Sequence, residues 1–139
     1  MRYYLDTNTL IFVLLKQRDE IENDVAEILE DYSNLFYISS IAARELALLY
    51  QERKIKHPKF KSVKDIFVAI DIANYEIKPF TRQHVITYSR LEPAEEHKDP
   101  SDHSIIAQSI SDKIPIISCD TKFRFYEKQG LELVFNRRR

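Results

Sequence analysis

A chain of 139 residues, 44% hydrophobic and 31% charged, is long enough for one domain around one core and too apolar to stay disordered. Its net charge of −1 gives no overall pull toward a polyanion, and no apolar run reaches the length of a membrane span, so no membrane partner is expected. Cys119 is the only cysteine and Gly130 the only glycine, which excludes an internal disulfide, a glycine-rich phosphate loop and a dinucleotide fingerprint. The opening Met-Arg-Tyr-Tyr-Leu-Asp carries no signal-peptide pattern, so a reducing, cytoplasmic setting is expected.

In chain order, Tyr3–Leu5 reads as a short strand ending at Asp6, and Thr9–Leu15 as an apolar helix. Residues 19–31 carry acids around Ile21, Val25, Ile28 and Leu29, the spacing of an amphipathic helix. Leu35–Ile38 is a second strand, and Ser39 and Ser40 can cap a helix from Ile41 to Arg53. His57-Pro58 breaks the pattern before a helix over Val63–Ala73, and Tyr75–Pro79 is a third strand. Thr81 can cap a helix through Tyr88 and Leu91, and an acidic loop runs from Glu92 to Lys98. Asp99 and Pro100 then open a helix as cap and first residue, with Asp102 placed to reach back to the cap. Ile114–Cys119 is an apolar run suited to a buried parallel strand. A helix from Asp120 or Thr121 stops at Gly130, and Leu131–Phe135 is the last strand. Strands alternating with helices predict a single α/β domain over residues 1–139, a three-layer α/β/α sandwich around a mostly parallel sheet.

Four carboxylates stand out. Asp6 and Asp120 end strands, so both lie on the sheet edge where open α/β folds bind ligands. Asp102 and Glu45 sit near the starts of helices that begin on that edge, and Glu45 shares a helix side with Ile41, Leu48 and Leu49. Each has an ordinary alternative, as a helix cap for the aspartates and a marginal surface residue for the glutamate. Together they repel: a like-charge pair at ~4 Å costs about 1 kcal/mol in water and about 4 kcal/mol at an effective dielectric of about 20. Such a cluster calls for a hard divalent cation, Mg2+ or Mn2+, since Cys119 stands alone and His57, His84, His97 and His103 lack zinc-site spacing. A carboxylate-held cation of this kind suits phosphodiester cleavage. The stretch Arg53–Lys64 holds six bases and no acid, and the chain ends Arg137-Arg138-Arg139. Lys54, Lys56 and Lys59 there are candidate phosphate contacts for a polyanion such as a nucleic acid, against the alternative of a solvated helix end. The apolar segments Leu10–Leu15 and Ile66–Ile70 offer either core or a partner-binding surface.

The segments L-D-T-N, S-S-I-A-A-R-E-L-A-L-L, D-P-S-D-H-S-I-I-A-Q and I-I-S-C-D-T-K-F, in this order over almost the whole chain, resemble the PIN-domain ribonucleases, most closely the VapC-type toxins of toxin–antitoxin pairs. The resemblance implies Mg2+- or Mn2+-dependent cleavage of RNA and a small antitoxin partner, and a homodimer is expected. It places the catalytic and metal-binding acids at Asp6, Glu45, Asp102 and Asp120, and ligand- or water-orienting polar residues at Thr7, Asn8 and Ser118. Asp99 is a further supporting candidate, with helix capping as its alternative. Many relatives carry arginine after the third acid, where this chain has His103. A haloacid-dehalogenase-like phosphotransferase would want a second aspartate where Asn8 stands. A catalytically inactive PIN fold that binds RNA or protein is the other alternative, although such a module is expected to lose acids.

Overall fold

The structure, a computed structural model, describes residues 1–138, so Arg139 of the terminal arginine run lies outside the described residues. Five strands form one parallel sheet: β1 (Arg2–Leu5), β2 (Leu35–Ser39), β3 (Glu76–Lys78), β4 (Ile116–Ser118) and β5 (Leu133–Phe135), in the order β3-β2-β1-β4-β5. The helices are α1 (Thr7–Leu14), α2 (Asn23–Glu30), α3 (Ser40–Gln51), α4 (Val63–Ile72), α5 (Arg82–Arg90) and α6 (Pro100–Asp112), with 3-10 segments at Arg18–Glu20 and Thr121–Gln129. This is the α/β sandwich that the alternating pattern predicts.

β1 is the centre of the sheet, and Tyr4, Leu5, Ile38, Ile116 and Ile117 on it and its neighbours are almost completely buried. That double-sided burial is why Ile-Pro-Ile-Ile-Ser reads as an unbroken apolar run. The chain passes from β1 outward through β2 to β3, then crosses back to place β4 on the other side of β1. The strand order therefore reverses between β1 and β4, and their carboxyl ends flank a crevice. Asp6 follows one strand and Cys119-Asp120 the other.

The helix expected over residues 19–31 is broken in two at Ile21. Asn136, wholly buried beyond β5, is the cause: its amide donates to the Glu20 carbonyl at 2.8 Å and its oxygen accepts from the Glu22 N–H at 3.0 Å. Those backbone groups are thus taken by a side chain from the far end of the sequence. The last helix is 3-10 rather than α, and its three-residue repeat stacks Phe123 and Tyr126, both fully buried, on one side. Lys16, Arg53, Asn74 and Lys113 close α1, α3, α4 and α6 with positive φ, the backbone state that Gly130 adopts at the end of the last 3-10 helix. Arg138, from the terminal arginine run, pairs with Glu20 and lies 5.0 Å from the Phe12 ring.

Buried polar groups tie α5 and α6 to the sheet. Asp112 accepts from the Tyr4 hydroxyl and pairs with His84 Nε2 at 2.8 Å. Gln108, with no exposure, accepts from the Ser39 hydroxyl and donates to Tyr4 Oη at 3.2 Å. Pairing of this kind is what makes polar burial tolerable beside an aliphatic core.

Candidate active site

Asp6 leaves β1 in extended backbone and caps α1, its Oδ1 accepting from the Thr9 N–H at 2.9 Å. Its Oδ2 accepts from the Ser118 hydroxyl at 2.6 Å, across the gap between β1 and β4. Only 4% exposed, Asp6 has its carboxyl raised above the usual range by burial, against the pull of the Ser118 and Thr9 hydrogen bonds. Ser118 Oγ also accepts from the Asp120 N–H at 3.1 Å, so one hydroxyl fixes two acids. Asp120 caps the last 3-10 helix, accepting from the Lys122 N–H at 2.9 Å. Asp6 and Asp120 therefore do the capping work of their ordinary reading and face the crevice as well.

Glu45 lies on α3, whose start is fixed by Ser39 accepting from the Ile41 N–H, and it is half-buried. Asp102 enters from the first turn of α6, which Asp99 caps by accepting from the Ser101 and Asp102 N–H groups. Asp102 was expected to reach back to that cap; instead its Oδ2 takes His97 Nε2 at 3.0 Å. Burial pushes the Asp102 carboxyl up to about 6, the His97 hydrogen bond pulls it down, and the charges of Asp99 and Glu45 push it up again.

These acids line one cleft of about 280 Å3 with Thr7, Asn8, His97, Lys98, Asp99 and Lys122. All eight acid and supporting residues named from the sequence except Ser118 are on its wall, and Ser118 lies directly behind Asp6. Three residues escaped the sequence reading. Lys98 and Lys122 supply the cleft's positive charge, and His97 puts a ring nitrogen within 4.8 Å of donor atoms of both Asp102 and Asp120. His97 therefore stands nearer these acids than its place in the sequence suggested. It sits in a loop, where no periodicity orients a side chain; the one signal was its nearness to Asp-Pro-Ser-Asp.

His103 points away from the cleft. It is buried, with Nε2 donating to the His97 carbonyl at 2.7 Å. Lys54, Lys56 and Lys59 do not line the cleft. Lys56 borders a separate depression of about 490 Å3 with Tyr50, Arg53, His57 and Phe60, Lys54 pairs with Glu52 at 3.6 Å, and Lys59 has Lys16 beside it. Of the apolar segments, Leu10, Phe12, Ile66 and Ile70 are core, whereas Val13 joins Ile21, Leu29 and Tyr75 around an apolar depression of about 270 Å3.

The chemistry of the donor set fits a hard divalent cation. Carboxylates crowd a cleft in which two of them are held above their usual range. The Thr7 hydroxyl on its wall is buried and has no hydrogen-bond partner among the described residues. An orphaned hydroxyl beside repelling acids is compatible with a hydrated cation, which Asp6, Glu45, Asp102 and Asp120 would be the residues to hold.

A parallel sheet with an acid-lined cleft over its switch point defines an α/β domain with an acidic candidate site. The PIN domain model matches residues 3–129, and the chain belongs to the PIN domain family. No curated protein matches the chain. Among solved structures, VapBC2 from Rickettsia felis bound to a DNA fragment from its promoter aligns over 98% of this chain and 99% of its own, at TM-score 0.65 and 22% identity. DNA-bound VapBC from Salmonella typhimurium aligns over 97% and 98%, at TM-score 0.67 and 21% identity. FitAcB from Neisseria gonorrhoeae aligns over 96% of both chains, at TM-score 0.58 and 21% identity. Among the described residues, no helix is long and apolar enough to cross a membrane.

Proposed function

We propose that this chain is a Mg2+- or Mn2+-dependent endoribonuclease, the toxin of a toxin–antitoxin pair acting in the cytoplasm. The observation that carries the reading is the convergence of Asp6, Glu45, Asp102 and Asp120 on one cleft at the switch point of a PIN-domain sheet. A bound cation would polarise a phosphodiester and lower the pKa of an attacking water. The chain's own part is to hold four anionic groups in register. Ser118 and the Thr9 N–H fix Asp6, the Ser118 hydroxyl and the Lys122 N–H fix Asp120, and His97 fixes Asp102. Thr7 and Asn8 offer hydrogen bonds to water or phosphate oxygen at the wall. Lys98 and Lys122 offer the charge that draws an RNA phosphate into an acidic cleft, a task that His103, buried behind it, does not perform. Lys54, Lys56 and Lys59 extend the RNA path away from the cleft.

The antitoxin reading is supported by the full-length likeness to toxin–antitoxin assemblies, among them a toxin-antitoxin complex from Klebsiella pneumoniae. The apolar depression around Val13, Ile21, Leu29 and Tyr75 is a surface such a partner can cover, and a homodimer is part of the same proposal. The test is cleavage of single-stranded RNA by the purified protein with Mg2+, Mn2+ or excess EDTA. Metal-dependent cutting that EDTA and Asp6→Asn both abolish supports the reading; cutting indifferent to both refutes it. Co-purification of the neighbouring gene's product as a tight, RNase-silent complex tests the partner.

A further inference from the structure

We propose that His97 is the positioning residue of the metal centre, acting through Asp102 rather than binding the cation itself. The inference rests on reading the cleft as a metal centre. The donor and acceptor roles around His97 follow from its partners. Tyr126 Oη accepts from the Ala94 N–H at 3.1 Å. Its single proton is then directed at His97 Nδ1, 2.9 Å away. With Nδ1 accepting, the neutral ring carries its proton on Nε2, and that proton meets Asp102 Oδ2 at 3.0 Å. An ionised carboxylate only accepts, so both ends of the relay agree on one tautomer. In that tautomer Nε2 has no lone pair for a metal. His97 instead holds one oxygen of Asp102 and leaves the other to the cleft.

The rest of His97 is equally fixed. Its ring is 2% exposed and packs edge-on against His103, with ring centroids 4.7 Å apart, and against Tyr126 at 5.5 Å. Its N–H donates to the Ala94 carbonyl at 3.0 Å and its carbonyl accepts from His103 at 2.7 Å. The loop before α6 is therefore locked to the last 3-10 helix, and through it to Asp120, the neighbouring acid. His103, at the position where many relatives carry arginine, is part of this lock.

The experiment is Mn2+ titration of the full-length protein, followed by electron paramagnetic resonance, for the wild type, His97→Ala, His97→Gln and Tyr126→Phe. Loss of an outer-shell partner of this kind lowers metal affinity about 10–100-fold. His97→Ala is expected to weaken Mn2+ binding by that factor. His97→Gln, whose amide N–H2 can reach the same carboxylate oxygen, should recover most of it, and Tyr126→Phe should fall between. Electron spin-echo modulation of the Mn2+-loaded wild type should show no directly bound nitrogen, a readout that requires no variant to fold. Wild-type affinity in His97→Ala, equal losses in Ala and Gln, or a nitrogen-coupled Mn2+ would each overturn the proposal. A wild type that binds no Mn2+ would overturn the metal-centre reading itself, whereas tight wild-type binding indifferent to His97 removes this inference alone.

Discussion

Asp102→Asn in the metal-free protein isolates the cost of assembling the acids. The carboxyl is raised from 3.8 to about 6, first by burial. A shift of about 2 units corresponds to about 3 kcal/mol of penalty on the ionised native state. The first turn of α6 favours negative charge by about 0.3–1 kcal/mol, which the amide forfeits, leaving a net gain of about 2 kcal/mol. The substituted amide keeps an oxygen for His97 Nε2, so that hydrogen bond survives. In a chain of 139 residues about 1 kcal/mol moves Tm by about 3–4 °C, so the variant should melt roughly 7 °C higher in EDTA at about pH 8. The sign of the pH dependence follows from a folded pKa above the unfolded one. The wild type is relatively most stable below about 3.8, where both states are protonated, and loses stability as pH rises through about 6. The gap between variant and wild type should therefore shrink by more than half on going from about pH 8 to about pH 5. Asp6, also raised by burial, drives the wild type in the same direction. Mg2+ at about a hundred times its Kd returns about 2.7 kcal/mol to the wild type and should close the gap at high pH. Thermal melts read all of this. A variant less stable than the wild type in EDTA at about pH 8, with no closing of the gap by Mg2+ or acid, would refute the reasoning and leave Asp102 a helix-start residue.

Asp6→Asn keeps the α1 cap but removes one anionic group from the cleft, so RNA cleavage should fall by orders of magnitude in a fixed-metal assay while the fold persists by circular dichroism. Neutralising Lys54, Lys56 and Lys59 together should weaken binding to all RNAs alike, each lost phosphate contact flattening the log–log salt slope by about 0.7, with turnover at saturating RNA preserved. A triple variant with the wild-type slope would assign those lysines to the solvated surface. Lys113→Gly relieves a positive φ at the end of α6 and should raise stability by about 0.5–1 kcal/mol in urea unfolding. Cys119, half-buried with its thiol pushed up to about 11 chiefly by burial, should react slowly with a thiol reagent at neutral pH in the folded protein and quickly once unfolded.

What the sequence revealed follows which interactions are local. Caps at Asp6, Ser39, Thr81 and Asp99 lie within a turn of the helices they start, and the structure uses each of them. The apolar run before Asp120 marked a buried strand because burial on both faces leaves no alternation. Long-range contacts were hidden. Asn136 reaches more than a hundred residues back to split the helix near Ile21, and nothing in Asn-Arg-Arg-Arg signals it. Helices that end on lysine, arginine or asparagine in the left-handed region lack the glycine that would mark their stops. At the cleft, the acids were legible because strand ends and helix starts fix their edge of the sheet. His97, Lys98 and Lys122 were not, because two come from a loop and the third is placed by the 3-10 helix that Asp120 starts.

The most direct test of the central claim, that the four carboxylates form a divalent-metal centre, is an anomalous difference map from crystals soaked in Mn2+. The account predicts a peak within coordination distance of carboxylate oxygens from Asp6, Glu45, Asp102 and Asp120, with Thr7 Oγ1 facing a metal-bound water. A map with no peak in that cleft, its acids bonded only to Ser118, His97 and backbone N–H groups, would contradict it.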